Sequence, residues 1–240
     1  MPFTLALLPL IAGSLGPDLQ YYLPSAMADR LPNSHSAAGA FTIAPAAALI
    51  GLVVIRLFRQ PLTGLLWDKH AALISLSLNQ FGAVMADWLW AVPAIYIGVL
   101  LHLIWDSFTH LYGWPVQHIP MLRANLAFGS VKHFEVFRLL QWLSSFIGLG
   151  IIALWYRSKL HKTPTVLNSS RAKGWRVTAL ALIAIVSGAA GVQRAYHGAP
   201  QYSSFHGHVY LAVTTSLATF AVLYLLTGIA AVVGAQERLR

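Results

Sequence analysis

Long stretches without Asp, Glu, Lys or Arg recur along the chain, among them Leu31–Ile55, Trp88–Trp105, Leu139–Tyr156, Val177–Gln193 and Ala195–Gln236. A helix that crosses a bilayer needs about 20 mostly apolar residues. The pattern predicts an all-α, polytopic transmembrane bundle with five spans, at 37–58, 88–112, 137–156, 175–196 and about 208–234. Pro45 is expected to kink the first of them. Two further helices flank this set. The opening MPFTLALLPLIAGSLG is apolar but short, lacks the basic start of a signal peptide and is broken by Pro17-Asp18, which predicts a half-length helix dipping into the protein. Between Ala71 and Ala86, Ile74, Leu78, Phe81 and Met85 share one helical face while Ser75, Asn79 and Gly82 share another, the pattern of an amphipathic interfacial helix. Residues 17–36, with Pro24 and Pro32 as breakers, and 113–136 read as polar connections.

Composition sharpens this picture. Of the 240 residues 57% are hydrophobic and 10% charged, against roughly 25% charged in ordinary globular chains. That excludes a water-soluble enzyme, a disordered chain and a secreted disulfide scaffold. The absence of cysteine removes thiolate metal sites and thiol catalysis.

The formal charge of +9 changes the picture through its placement. Arg157, Lys159, Lys162, Arg171, Lys173 and Arg176 crowd one connection, the signature of a cytoplasmic loop beside anionic headgroups, so membrane lipids are the expected partners and nucleic acid is not. Counting spans from there puts Arg56, Arg59 and Lys69 on the same inner side, and 17–36 and 113–136 outside. The expected location is a membrane that the chain crosses several times. The chain divides into a membrane domain at 1–157, a basic loop at 158–174 and a C-terminal pair of spans at 175–240, with no internal repeat.

The second span holds the chemistry. In HLIWDSFTH, His102, Asp106 and His110 recur at four-residue steps, so they drift only about 80° around a helix and form one stripe. An ionisable residue in a span costs about 2.5–3.5 kcal/mol on insertion scales and is a functional candidate by default. The spacing leaves three readings open: a buried hydrogen-bonded pair joining helices, a metal site, and a proton relay. Imidazole nitrogen with carboxylate oxygen suits zinc, and also manganese or iron. Topology brings Asp18 and His35 to the same outer face as the stripe. His206 and His208 stand at the outer end of the last span as further candidates. His118 and His133 read as solvated loop residues, and His70 and His161 as surface residues.

The segments MPFTL, GSLGPDLQYYLP, SHSAAG, HLIWDSFTHLYGWPVQHIPML and LLQWLSSFIGLG resemble the bacterial membrane-protein family of domain of unknown function 4184, over roughly residues 1–157. That family is similar in motif layout to predicted membrane-bound metal-dependent hydrolases. The resemblance implies ligand roles for Asp18, His35, His102 and Asp106, with His110 as a base or a further ligand. It also implies a histidine where this chain has Leu7, so that metal binding is expected to be weak and strengthened by Leu7→His. The function expected on this basis is a metal-dependent hydrolase acting on a lipid or phosphoester at the outer face, with Arg123 or Lys132 available to neutralise a phosphate. The alternative is a non-enzymatic protein: a transporter, an envelope-assembly factor or a pseudo-enzyme scaffold with a structural His/Asp network.

Overall fold

The computed structural model describes residues 3–23, 25–128, 131–164, 171–198 and 205–237. In chain order the helices are α1 (Phe3–Leu15), a 3-10 helix at Pro17–Tyr22, α2 (Ser25–Ala28), α3 (Ala37–Phe41), α4 (Ile43–Leu57), α5 (Arg59–Gly64), α6 (Asp68–Gln80), α7 (Met85–Thr109), α8 (Trp114–His118), a 3-10 turn at Pro120–Arg123, α9 (Val136–Lys162), α10 (Arg171–Tyr196) and α11 (Phe205–Glu237). Among the described residues five helical segments are long and apolar enough to cross a membrane: Ala37–Leu57, Met85–His118, Val136–Lys162, Gly174–Tyr196 and Gly207–Glu237. The polytopic all-α bundle expected from the sequence is the fold observed.

The core is built on small residues that let backbones meet. Ala40, Ala44, Ala48 and Leu52 recur every fourth position on α3 and α4 and bury against Phe81 and against Ala91, Ile95 and Val99 of α7, with Leu8 and Ala12 of α1 alongside. The closest crossing is α1 on α7. A side chain at Gly13 would strike the Ile95 backbone, and one at Gly98 would strike the Leu10 carbonyl and Ser14 nitrogen. Such backbone-on-backbone packing is the usual means of helix association in lipid, where apolar contact alone gives no preference for protein over solvent.

The expected kink in the first span falls at Thr42, with φ −123° and ψ −76°. Proline at 45 has no N–H for the carbonyl four residues earlier, and that carbonyl, on Phe41, instead accepts a hydrogen bond from the Tyr96 hydroxyl at 3.2 Å. A neighbouring helix thus supplies the donor that proline removes.

Three expectations are corrected. The interfacial helix starts earlier and ends earlier than 71–86: α6 stops at Gln80, and Gly82 turns the chain with φ +73°, a conformation that costs other residues a steric clash. Residues 113–136 are not an open loop. They hold α8, the 3-10 turn and an antiparallel hairpin of β1 (Asn125–Phe128) and β2 (Val131–Glu135) paired Asn125↔Glu135 and Leu126↔Phe134. Val116, Leu122 and Phe137 form a small core under this cap with Phe108 and Leu111. His70, read as a surface residue, is half-buried, stacks on Tyr156 and bonds its hydroxyl at 2.7 Å.

The two basic regions meet at one end of the molecule. Arg176 donates to the Leu66 carbonyl at 3.0 Å and pairs with Asp68 at 3.2 Å. The C-terminal spans are anchored there too: the Tyr224 hydroxyl donates to the Leu62 carbonyl at 2.7 Å, and Gly228 lies against the Pro61 backbone.

Candidate metal centre

The opposite end of α7 carries the His/Asp constellation, assembled from three pieces of chain. His102 and Asp106 come from successive turns of α7, as the four-residue spacing requires. Asp18 comes from the 3-10 helix that continues α1, entered through Gly16 in helical conformation with Pro17 at its first turn, where the missing N–H is harmless. His35 comes from the turn leading into α3.

That turn is tied down from both sides. The buried Ser34 hydroxyl donates to the Pro17 carbonyl at 2.7 Å, and the Ser34 backbone N–H donates to Gln20 Oε1 at 2.7 Å. The His35 N–H donates to Asn33 Oδ1 at 2.9 Å, and Ser36 caps α3 by accepting from the Gly39 N–H at 3.1 Å. The sequence Asn-Ser-His-Ser thus spends its polar side chains on backbone groups, as such residues do at turns and helix starts, and holds His35 over the 3-10 helix.

Each of two imidazoles approaches each of two carboxylates. His35 Nε2 lies 3.5 Å from Asp18 Oδ1 and 3.4 Å from Asp106 Oδ2, and His102 Nε2 lies 3.7 Å and 3.3 Å from the same two oxygens. Among the described residues Asp18, His35 and His102 offer ligand atoms all within 4.8 Å of one another, the geometry of a group able to hold a metal ion. Access is graded: the His102 side chain is 14% exposed and Asp18 45%, so the centre opens on the Asp18 side.

The hydrogen-bond network fixes the tautomer of His35. The Ser34 hydroxyl gives its proton to the Pro17 carbonyl, so toward His35 Nδ1, 3.2 Å away, it can only accept. Nδ1 therefore carries the hydrogen, and Nε2 of the neutral ring presents its lone pair to the convergence point. Without an ion the Asp106 carboxylate first, and Asp18 second, hold the ring as imidazolium and push His35 up to about 9 against the opposing effect of burial. On the α7 side, His102 Nε2 is buried and has no hydrogen-bond partner among the described residues, although two carboxylate oxygens stand nearby.

His110 belongs to an outer layer. It is the cap of α7 and not its continuation, with extended φ −119° and ψ 141°, so the helix ends one residue short of the stripe's last member. Its Nδ1 is 3.6 Å from Asp106 Oδ1, the oxygen turned away from the two imidazoles, and the ring is more than half exposed.

Tyr21 was not singled out by the sequence. A 3-10 helix has three residues per turn, so positions i and i+3 eclipse, which sets Tyr21 above Asp18. Its ring lies 5.5 Å from that of His35 and edge-on to Tyr210 of α11 at 6.3 Å. Burial, then the charges of Asp18 and Asp106, raise its pKa and keep the phenol protonated. Asp-x-x-Tyr after a proline was the available signal, legible only once the segment is known to be 3-10.

Of the remaining candidates among the described residues, His118 and Arg123 make no contact with the two imidazoles and two carboxylates, and His208 stands two positions before Tyr210. His118 stacks on Trp114 and meets its carbonyl at 2.8 Å, Arg123 is exposed on its 3-10 turn, and His208 stands at the start of α11. The side chains of Lys132, His133 and His206 fall outside the described residues.

Leu7 is corrected. Gly13 meets Ile95 and Asp18 meets His102, so α1 and α7 run parallel, and Leu7 sits eleven positions before Asp18 in nearly continuous helix. That is about 16 Å of rise, beyond the reach of any side chain, and a histidine there cannot complete this ligand set.

The chain belongs to the family described as Domain of unknown function (DUF4184), which matches residues 1–232. The match runs past residue 157 and through both C-terminal spans. No curated protein and no solved structure matches the chain.

Proposed function

We propose that this member of the domain of unknown function 4184 family is a metal-dependent hydrolase of the bacterial inner membrane, acting on a lipid or phosphoester at the outer face. One observation carries the reading. His102 Nε2 is buried beside two carboxylate oxygens, yet every imidazole–carboxylate distance in the cluster is 3.3–3.7 Å. Charge-assisted hydrogen bonds close to about 2.7–2.9 Å. Ligands at about 2.0–2.2 Å around a tetrahedral ion stand about 3.3–3.6 Å apart, and this agreement favours zinc. The donors are spaced for an ion between them more than for one another.

In this reading Asp18, His35, His102 and Asp106 hold the ion. A divalent ion there supplies Lewis-acid polarisation of the ester and a water acidified toward neutrality. The chain's residues do the rest. Ser34 fixes the His35 ring, and His110, held on the Asp106 backbone carbonyl at 3.2 Å, handles protons at the open mouth. Tyr21 offers a protonated phenol beside the exposed carboxylate. For a phosphoester, the water oxygen bonds to phosphorus and the bond to the leaving alcohol oxygen breaks. One water proton ends on that alcohol and the other leaves from the new phosphate. The basic residues gathered at the other end of the bundle support the outer placement.

The test is elemental analysis of purified protein together with turnover of bis(p-nitrophenyl) phosphate after zinc loading, with His102→Ala as control. The expected result is one ion per chain and turnover that His102→Ala abolishes. Protein that neither retains nor takes up metal overturns the reading. The second reading, a structural network, is favoured by the fact that each carboxylate reaches both imidazoles and so joins three chain segments. It predicts full stability in chelator and no turnover.

A further inference from the structure

The hydrolase reading leaves open whether the ester comes from water or from the membrane, and the surroundings of the centre bear on this. α7 has 25 residues, about 37 Å of helix, against a hydrocarbon layer of about 30 Å. A centred α7 overhangs by about 4 Å at each end. Asp106, one turn before the end, then lies at the hydrocarbon boundary, and His102 lies about 6 Å beneath it. That boundary is the level of lipid headgroup esters. A centre serving a soluble ester gains nothing from lying so deep, where placing charge is costly.

The residues that adjoin the site along the chain are also the wrong ones for open water. Tyr112 is 89% exposed and Trp114 68%, two and four positions after His110. Tyr22 and Leu23, just after Asp18, are exposed, as are Met27 and Met121. Trp105, beside Asp106, is exposed too, with its indole N–H on Ser144 of α9 at 3.3 Å. Tyrosine and tryptophan gather at the level of lipid headgroups, where a ring can be apolar at one edge and wet at the other.

We infer that the centre works on a phospholipid-type ester that stays embedded in the bilayer, with Tyr22, Leu23, Tyr112 and Trp114 forming an apolar collar that seats the open Asp18 side among the headgroups. The inference rests on the hydrolase reading for its chemistry and on depth and collar for its substrate.

Both parts can be tested apart. The chain has no cysteine, so Trp114→Cys and Tyr22→Cys each accept a single nitroxide label, and power-saturation EPR in vesicles of phosphatidylethanolamine and phosphatidylglycerol reads its depth. Labels at or below the phosphate level are expected; labels in bulk water overturn the collar and with it the proposal. In the same vesicles the zinc-loaded protein is expected to release headgroup or phosphate products, followed by 31P NMR. Replacing both Tyr112 and Trp114 with Ser is expected to lower the ratio of lipid to bis(p-nitrophenyl) phosphate turnover about tenfold, the effect of one large apolar side chain no longer buried. Cleavage of the soluble ester with intact vesicle lipid overturns the lipid proposal and leaves the hydrolase reading standing. Cleavage of neither overturns both.

Discussion

The two ends of the bundle use nearly the same residues to opposite effect. At the basic end Arg176 and Asp68 pair at 3.2 Å, Arg176 also reaches the Leu66 carbonyl, and His70 bonds Tyr156 at 2.7 Å. Those groups meet each other directly and join α6, α9 and α10. At the other end each of two histidines stands 3.3–3.7 Å from each of two aspartates. The atoms left over differ as well. Among the described residues Arg56 Nη1 and Arg176 Nε are buried donors lacking an acceptor, whereas His102 Nε2 lacks a partner with two carboxylate oxygens beside it. Polar groups that close directly on one another thus differ from polar groups that face each other at a distance.

The comparison breaks most readily at the ligands. His102→Ala or Asp106→Ala is expected to weaken zinc binding by at least about 100-fold, more than the loss of a supporting contact causes, while Asp68→Ala leaves zinc affinity unchanged and lowers thermal stability by stranding Arg176. Chelator competition and melting curves on the three variants separate the ends; a zinc loss in Asp68→Ala would erase the distinction. Next in size is Ser34→Ala, which frees the His35 ring and removes the donor of the Pro17 carbonyl. Zinc affinity is expected to fall about 10- to 100-fold, with His35 still present.

pH sharpens the same contrast. His35, raised to about 9 when ion-free, must lose its proton to bind, so apparent zinc affinity is expected to rise up to about tenfold per pH unit until about pH 9. The sign for stability is opposite. A pKa raised by folding stabilises fully below the unfolded value of about 6.5 and is lost as pH rises through about 9. Chelated protein should therefore melt at lower temperature as pH rises through that window, an effect that His35→Gln removes. The smallest effect is that of Leu7→His, expected to change zinc affinity by less than twofold; a clear gain in the same titration would mean that α1 does not run parallel to α7.

The spans, the short α1 and the His102/Asp106 pairing were legible because each depends on periodicity along one helix. What eluded the sequence depends on contacts between segments. The tetrad needs Ser34 on Pro17 and Gln20, a tertiary match between two proline-marked stretches that look like loops. The hairpin at 125–135 is too short to show alternation. Tyr21 required knowing that Pro17–Tyr22 winds at three residues per turn, and Leu7 required knowing which way α1 runs beside α7.

The Gly13–Gly98 crossing has a mechanical consequence. A spanning helix answers a change in bilayer thickness by tilting, and two helices that tilt independently would slide past one another by several ångströms at their ends. Here the backbones touch at the crossing, a few residues from where Asp18 and His102 face each other. α1 and α7 therefore lean as one rigid blade, and the spacing between carboxylate and imidazole is insulated from the thickness of the lipid around it.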